Sequence, residues 1–253
     1  MIGIRDLRME YPHGRPFEIG ELSFARGQIT SVIGRNGCGK TTLLKTIAGM
    51  LPYKGSIRIG DKESRDYRRR ERARRISFLP QIVRPAAMDV RTLAEHGRFP
   101  WLGEHRRLTA EDGRLVDEAL EMTGMDRLQD RELTELSGGE LRRAYLAMAI
   151  AQHADMMLLD EPTTYMDIRS QSLFYEIVKR LAAGQTGIVM TCHHLEQSFS
   201  CSDRIAVMED RTIVRAGTPE AVAADRDLLR HVFGASPVRS EDEDLLYSYV
   251  LTK

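Results

Sequence analysis

Nine consecutive residues hold the densest chemistry in the chain: Gly34-Arg35-Asn36-Gly37-Cys38-Gly39-Lys40-Thr41-Thr42. The first eight fit the spacing G-x-x-x-x-G-K-[ST]. A β-rich run, Ile29 to Ile33, precedes them, and a helical stretch, Thr41 to Met50, follows. Glycines let backbone N–H groups turn inward and surround phosphate oxygens without Cβ clashes. The following helix directs its positive end at the same anions. Lys40 adds a point charge for the β- and γ-phosphates, and the Thr41 hydroxyl is suited to ligating Mg²⁺. The lysine argues against a dinucleotide fold, whose glycine turn lacks it.

Met156-Met157-Leu158-Leu159-Asp160-Glu161 sets four apolar residues before two carboxylates. A buried strand of this kind delivers Asp160 to the edge of a sheet beside the phosphate loop, where it can hold Mg²⁺ directly or through water. Glu161 follows where the strand ends, placed to polarise a water for in-line attack on a γ-phosphate. Between the two motifs, Leu136-Ser137-Gly138-Gly139-Glu140 opens a helix. Its serine, two glycines and helix N-terminus form a second edge suited to anions.

These residues need a scaffold, and the rest of the chain supplies its outline. Ile2, Ile4, Leu7, Phe17, Ile19, Leu22 and Phe24 alternate as short antiparallel strands do. Gly55 to Gly60 predicts a further short strand, and Ile76–Leu79, Thr186–Thr191 and Arg204–Met208 read as buried ones. Asp89 to Arg98, Thr109 to Thr123 and Ser137 to His153 have helical periodicity. Thr109-Ala110-Glu111-Asp112 gives the middle one an N-cap and first-turn acids. Thr212–Val214 closes a turn after Glu209-Asp210-Arg211, and helices finish the fold up to Phe233-Gly234. The expected architecture is a single α/β unit over 1–253, with an N-terminal antiparallel β part and an α-helical subdomain at about 82–153 inserted in the core.

With 37 basic and 37 acidic side chains the formal charge is zero, which points neither to nucleic acid nor to a membrane surface. Seven arginines fall between Arg65 and Arg75, but Asp66 and Glu71 interrupt them, so they predict a solvated helix and not a nucleic-acid patch. No apolar run approaches a membrane span, and the first residues lack a signal-peptide pattern, so a soluble chain is expected. The three cysteines, Cys38, Cys192 and Cys201, show no metal-type spacing and suit reduced thiols. The acidic tail from Ser240 to Asp244 reads as polar surface.

The order of phosphate loop, Leu136–Glu140 signature and apolar strand ending in Asp160-Glu161 resembles the ABC ATPases, and the resemblance spans nearly the whole chain. It implies a P-loop NTPase core using ATP and Mg²⁺. Two copies would sandwich two ATP, with Ser137, Gly138 and Gly139 of one closing over the phosphate loop of the other. The resemblance further implies that Tyr11 stacks on adenine. Gln81, in Phe78-Leu79-Pro80-Gln81, senses Mg²⁺ and adjoins the helical subdomain. Asp167 ends the D-loop that begins at Pro162, and His193 contacts the γ-phosphate, with His194 as a rival. Two residues depart from the family pattern. Glu140 stands where glutamine is usual and is expected to face away from the phosphates, and His194 stands where aspartate is common.

Softer features resemble the ATPases of iron-siderophore, haem and cobalamin importers: Val90 to Gly103, Gly217 to Val222, and Leu228 to Gly234. That implies a membrane permease as partner, a substrate-binding protein as an indirect one, and a peripheral place on the cytoplasmic face of the membrane. Phe99 and Trp101 are equally suited to a core or to a partner groove. The competing reading is a soluble ABC ATPase acting on nucleic acid or ribosomes. Such proteins usually carry coiled-coil insertions or tandem ATPase domains, and this chain has one phosphate loop and one signature.

Overall fold

The computed structural model describes residues 1–9, 16–103, 107–164, 166–192, 195–239 and 247–251. In chain order its strands are β1 (Ile2–Met9), β2 (Phe17–Phe24), β3 (Ile29–Ile33), β4 (Lys54–Ile59), β5 (Lys62–Glu63), β6 (Ile76–Leu79), β7 (Met156–Leu159), β8 (Gly187–Cys192), β9 (Arg204–Glu209), β10 (Thr212–Gly217), β11 (Ala235–Arg239) and β12 (Tyr247–Leu251). Its helices are α1 (Lys40–Ile47), α2 (Arg69–Ala73), α3 (Val90–His96), α4 (Ala110–Thr123), α5 (Gly138–Ala151), α6 (Ile168–Ala183), α7 (Leu195–Cys201), α8 (Pro219–Ala223) and α9 (Arg226–Phe233).

The central sheet has the order β10-β9-β3-β8-β7-β6. β9, β3, β8, β7 and β6 run parallel, and β10 pairs antiparallel with β9. β3, β7 and β8 are buried at every residue, as strands covered on both faces must be. Their alternation sorts side chains between two cores. Ile33, Leu159, Ile188, Met190 and Val207 face α6, through Phe174, Ile177 and Val178. Val32, Leu158, Val189 and Ala206 face the opposite way, onto Leu43, Leu44 and Ile47 of α1. The second core is closed by the antiparallel sheet β2-β1-β4-β5, with Ile2, Ile4, Phe17 and Phe24 inward. The register Ile2↔Phe24 through Met9↔Phe17 realises the expected N-terminal alternation.

A third core joins α3, α4 and α5 through Val90, Leu93, Val116, Leu120 and Ala144. A buried ion pair, Arg98 Nε to Asp112 Oδ1 at 2.8 Å, ties the segment after α3 to α4, and Arg98 Nη1 also donates to the Ala151 carbonyl at the end of α5. The arginine run forms α2 and its flanks, and its side chains serve the fold. Arg74 donates to the Pro100 carbonyl at 2.8 Å, Arg72 to that of Gly49 at 3.2 Å, and Arg75 pairs with Asp155 at 2.7 Å. Phe99 and Trp101 stay partly exposed, at 52% and 37%. The Trp101 indole N–H donates to the Gln152 carbonyl at 2.7 Å, and the ring lies under the Arg74 and Arg98 guanidiniums. Helices α6 and α7, strand β5 and the β11–β12 hairpin have no counterpart in the expected scaffold.

Candidate functional site

The site assembles at one end of the central sheet because parallel strands place their C-terminal ends together. The phosphate loop leaves β3, Gln81 follows β6, Asp160 and Glu161 follow β7, and Thr191 lies near the end of β8. Two glycines of the loop are required by geometry. A Cβ at Gly34 would stand 2.2 Å from the Met208 carbonyl oxygen, and Gly39 has φ +110° with the Phe17 ring against it. Gly39 also caps α1, so the first helical residue is Lys40 itself. The Lys40 side chain is buried and donates to the Gly34 and Arg35 carbonyls at 2.8 and 3.2 Å. Arg35, Asn36 and Gly37 form an exposed rim, while Cys38 is buried. Burial raises the Cys38 thiol pKa, which keeps it protonated and a poor nucleophile. A cavity of about 730 Å³ opens beside the loop toward Arg211 and His231. Thr42, the third residue of α1, is half-buried.

Asp160 is 1% exposed. Its Oδ1 accepts from Thr41 Oγ1 at 3.0 Å and from Thr191 Oγ1 at 2.9 Å. Burial raises its pKa despite those two donors, so its charged form lacks a full counter-charge. A buried carboxylate that accepts a hydrogen bond from the phosphate-loop threonine fits a hard divalent cation with oxygen ligands. Thr41 and Asp160 can supply two such oxygens, with Gln81 near them through Glu161.

Glu161 occupies the left-handed region at φ +46°, a strained conformation for a non-glycine residue. Its N–H donates to Thr191 Oγ1 at 2.7 Å, and Gln81 Nε2 donates to its Oε2. The glutamine and the carboxylate read separately from the sequence are therefore in direct contact.

The surrounding clamp is Arg142, which the sequence reading missed. It is 4% exposed on α5. Nη1 donates to the Pro80 and Gln81 carbonyls at 2.6 and 2.7 Å, Nη2 to those of Asp160 and Glu161 at 3.0 and 3.1 Å, and Nε to that of Pro162 at 3.1 Å. Burial pushes its pKa down to about 10, so it remains charged near neutrality. A signal was present: Arg142 is in line with Leu146 and Ala149 on an otherwise apolar stripe. Thr191, also missed, is likewise a polar residue inside an apolar strand.

The signature residues are placed differently. Ser137 and Gly138 are exposed, and Ser137 caps α5. Glu140, expected to face away from the phosphates, folds back over the start of α5. Its Oε2 accepts from the Ser137 N–H at 2.8 Å and from Ser137 Oγ at 2.7 Å, a capping box that satisfies two donors at once. Those bonds to Ser137 hold the Glu140 carboxyl below its ordinary pKa. A Cβ at Gly139 would lie 3.9 Å from Ser170 Oγ, so the signature adjoins the start of α6. Asp167, exposed, caps α6 by accepting from the Ser170 N–H at 2.7 Å. Tyr11, His193 and His194, and the Ser240 to Asp244 tail, lie outside the described residues.

A glycine loop at a helix start, a buried lysine, and two carboxylates at the end of β7, one strand removed from β3 in the same parallel sheet, define a P-loop nucleotide hydrolase. The comparison with known proteins narrows the class. The family model described as ABC transporter matches residues 18–164. The chain is 36% identical to the petrobactin import ATP-binding protein FpuD of Bacillus anthracis, over 89% of this chain and 84% of that protein. It is 36% identical to the iron(3+)-hydroxamate import ATP-binding protein FhuC of Bacillus subtilis, covering 84% and 80%, and 34% identical to the ferric enterobactin transport ATP-binding protein FepC of Escherichia coli, covering 82% and 78%. Among solved structures, a transporter of proposed metal-chelate type in an inward-facing conformation matches with TM-score 0.83 and 24% identity, over 98% of this chain and 96% of that one. A dimeric ATP-binding cassette in a post-hydrolysis state with ADP and phosphate matches with TM-score 0.75 and 21% identity, over 87% and 99%. The chain belongs to the ABC transporter family and is one of its ATP-binding, ATP-hydrolysing subunits. Among the described residues no helix is long and apolar enough to cross a membrane.

Proposed function

We propose that this subunit powers import of a metal chelate of the iron-siderophore kind through a separate membrane permease, working as a homodimer at the cytoplasmic face of the membrane. A substrate-binding protein outside would present the cargo. The observation that carries the reading is the similarity to iron-chelate import subunits over most of the chain, supported by the bond of buried Asp160 to Thr41 of the phosphate loop.

The residues divide the work as follows. Backbone N–H groups of the loop at Gly37, Gly39 and Lys40 receive the phosphates. The Lys40 ammonium exchanges the Gly34 and Arg35 carbonyls for phosphate oxygens, and its charge then offsets the charge developing at the γ-phosphate. Thr41 and Asp160 would hold Mg²⁺, which supplies charge neutralisation at the phosphates. Glu161 accepts the proton of the attacking water. Gln81 donates to one oxygen of the Glu161 carboxylate, which leaves the carboxylate further acceptor capacity for the attacking water. Tyr11 and His193 keep the base-stacking and γ-phosphate roles that the family resemblance implies for them.

The test is functional reconstitution. Purified with a permease of the iron-chelate import class that binds it and placed in vesicles, the subunit should hydrolyse ATP faster when binding protein loaded with ferric siderophore is added. Stimulation by RNA or DNA, with none by any loaded binding protein, would sink the import reading and support the nucleic-acid one.

A further inference from the structure

Arg142 makes five hydrogen bonds, all to main-chain carbonyls of two segments far apart in sequence, Pro80–Gln81 and Asp160–Pro162. Those segments are the exits of β6 and β7, and they carry the amide of Gln81 and the carboxylate of Glu161. A planar guanidinium with five N–H donors is the one side chain that can satisfy so many acceptors from one point. The placement is costly, since a charge has been taken from water and has carbonyl dipoles as its hydrogen-bonding partners. The core alone would be served by an apolar residue in line with Leu146 and Ala149. The return on that cost is geometric. Glu161 is held in a left-handed conformation from both sides, by Thr191 at its N–H and by Arg142 at its carbonyl. The same guanidinium fixes the carbonyl of Gln81, whose side chain contacts Glu161.

We propose that Arg142 is a positioning residue for ATP hydrolysis: it locks the chain exits after β6 and β7 together so that Glu161 and Gln81 meet the attacking water in a fixed arrangement. Arg142 acts through these main-chain carbonyls, since all five of its N–H donors are directed at them. The binding of ATP, carried by the phosphate loop, does not pass through it. The inference rests on the assignment of Glu161 as the base.

Three variants test it, Arg142→Lys, Arg142→Gln and Glu161→Gln, with turnover expressed per folded molecule. A lysine keeps the charge and the stem but offers three donors from one point, and a glutamine offers two. Turnover should fall by roughly 3- to 10-fold in Arg142→Lys and by roughly 30-fold or more in Arg142→Gln, as expected when a base is displaced by about an ångström. The dissociation constant for ATP should stay within about twofold in both, because Lys40 and Thr41 are untouched. In single-turnover assays, adding Arg142→Gln to Glu161→Gln should cost less than about threefold more, since a misplaced base and a missing base are one lesion. A purely structural role would lower the melting temperature and leave turnover per folded molecule unchanged. Turnover of Arg142→Gln within about threefold of the unaltered protein, or full additivity with Glu161→Gln, overturns the proposal. Failure of both Arg142 variants to fold also overturns it, the residue then being a determinant of the fold. Glu161→Gln alone separates the two levels: if it remains active, the base assignment fails, and if it is inactive while Arg142→Gln works, only the present inference fails.

Discussion

At Glu140 a half-buried carboxylate meets the positive end of a helix, where it would oppose a phosphate drawn to that end. The residue follows Ser137 by three, the spacing of a capping box, and the structure forms that box. Glutamine preserves the box because its amide oxygen accepts the same two bonds, but it removes the negative charge. Glu140→Gln should therefore melt within a few degrees of the unaltered protein while its KM for ATP falls several-fold, with the gain shrinking as salt rises. A steady-state titration of ATP at two ionic strengths checks this, and an unchanged or higher KM at low salt would show that the carboxylate does not oppose the nucleotide. The contrast with Arg142 explains what was legible at this scale. Lys40, Asp160 and Glu161 announce themselves because their types and neighbours match a reaction. Arg142 acts through carbonyls, which every residue has, so its partners leave no trace in the sequence. Glu140 was visible as a departure, but its direction depended on a rotamer that capping decided.

Elements were legible where one period dominated. β3, β7 and β8 read as buried runs, and Thr109 announced the start of α4 by its cap. Helix α6 went unread although Phe174, Ile177 and Val178 are spaced for one face, because the Asp160–Asp167 stretch before it drew a reading as loop. The β11–β12 hairpin pairs across an acidic segment whose composition suggests polar surface, and pairing over that distance has no local signature. The helical block depends on one buried pair. Asp112 is 6% exposed and Arg98 is 5% exposed, so removing one partner strands the other charge. Asp112→Asn should cost about 3 kcal/mol of stability at pH 7, measured by denaturant titration. Burial alone would raise the Asp112 pKa, but bonds from Thr109 and Arg98 hold it below its ordinary 3.8. A carboxylate with a depressed folded-state pKa stabilises the fold above its unfolded pKa and ceases to as pH falls through the folded one. The difference between the two proteins should therefore shrink below about pH 4. A gap of the same size at pH 7 and in strong acid would show that the ion pair is not its source.

At the scale of the whole molecule, we propose that the phosphate loop and the signature are two anion-binding edges that serve one ligand only across two subunits. The phosphate loop lies at the end of β3, while Ser137 and Gly138 stand exposed at the start of α5, beside α6. An exposed signature with donors near Ser137 is suited to a triphosphate held by a second copy. Two ATP would then join two subunits head to tail, each nucleotide gripped from both sides. The Glu161→Gln protein should dimerise in ATP and Mg²⁺ but not in ADP, since ADP lacks the γ-phosphate that Ser137 would reach. Light scattering measures this directly, and a dimer of equal strength without nucleotide would place the main contact on another surface. Mixing two inactive proteins gives the sharper test. One carries Lys40→Ala and the other a bulky residue at Ser137. In a mixed dimer one site has both lesions and the other has neither, so hydrolysis should return, at up to about one quarter of the unaltered rate when dimers form at random and one intact site works alone. If heterodimers form and the mixture stays inactive, then either Ser137 serves its own subunit's nucleotide or both sites must fire together. Tethering the two chains in one polypeptide separates these outcomes. A tether with a single intact site that hydrolyses ATP shows that one site suffices. Inactivity of the mixture then means that Ser137 acts on its own chain.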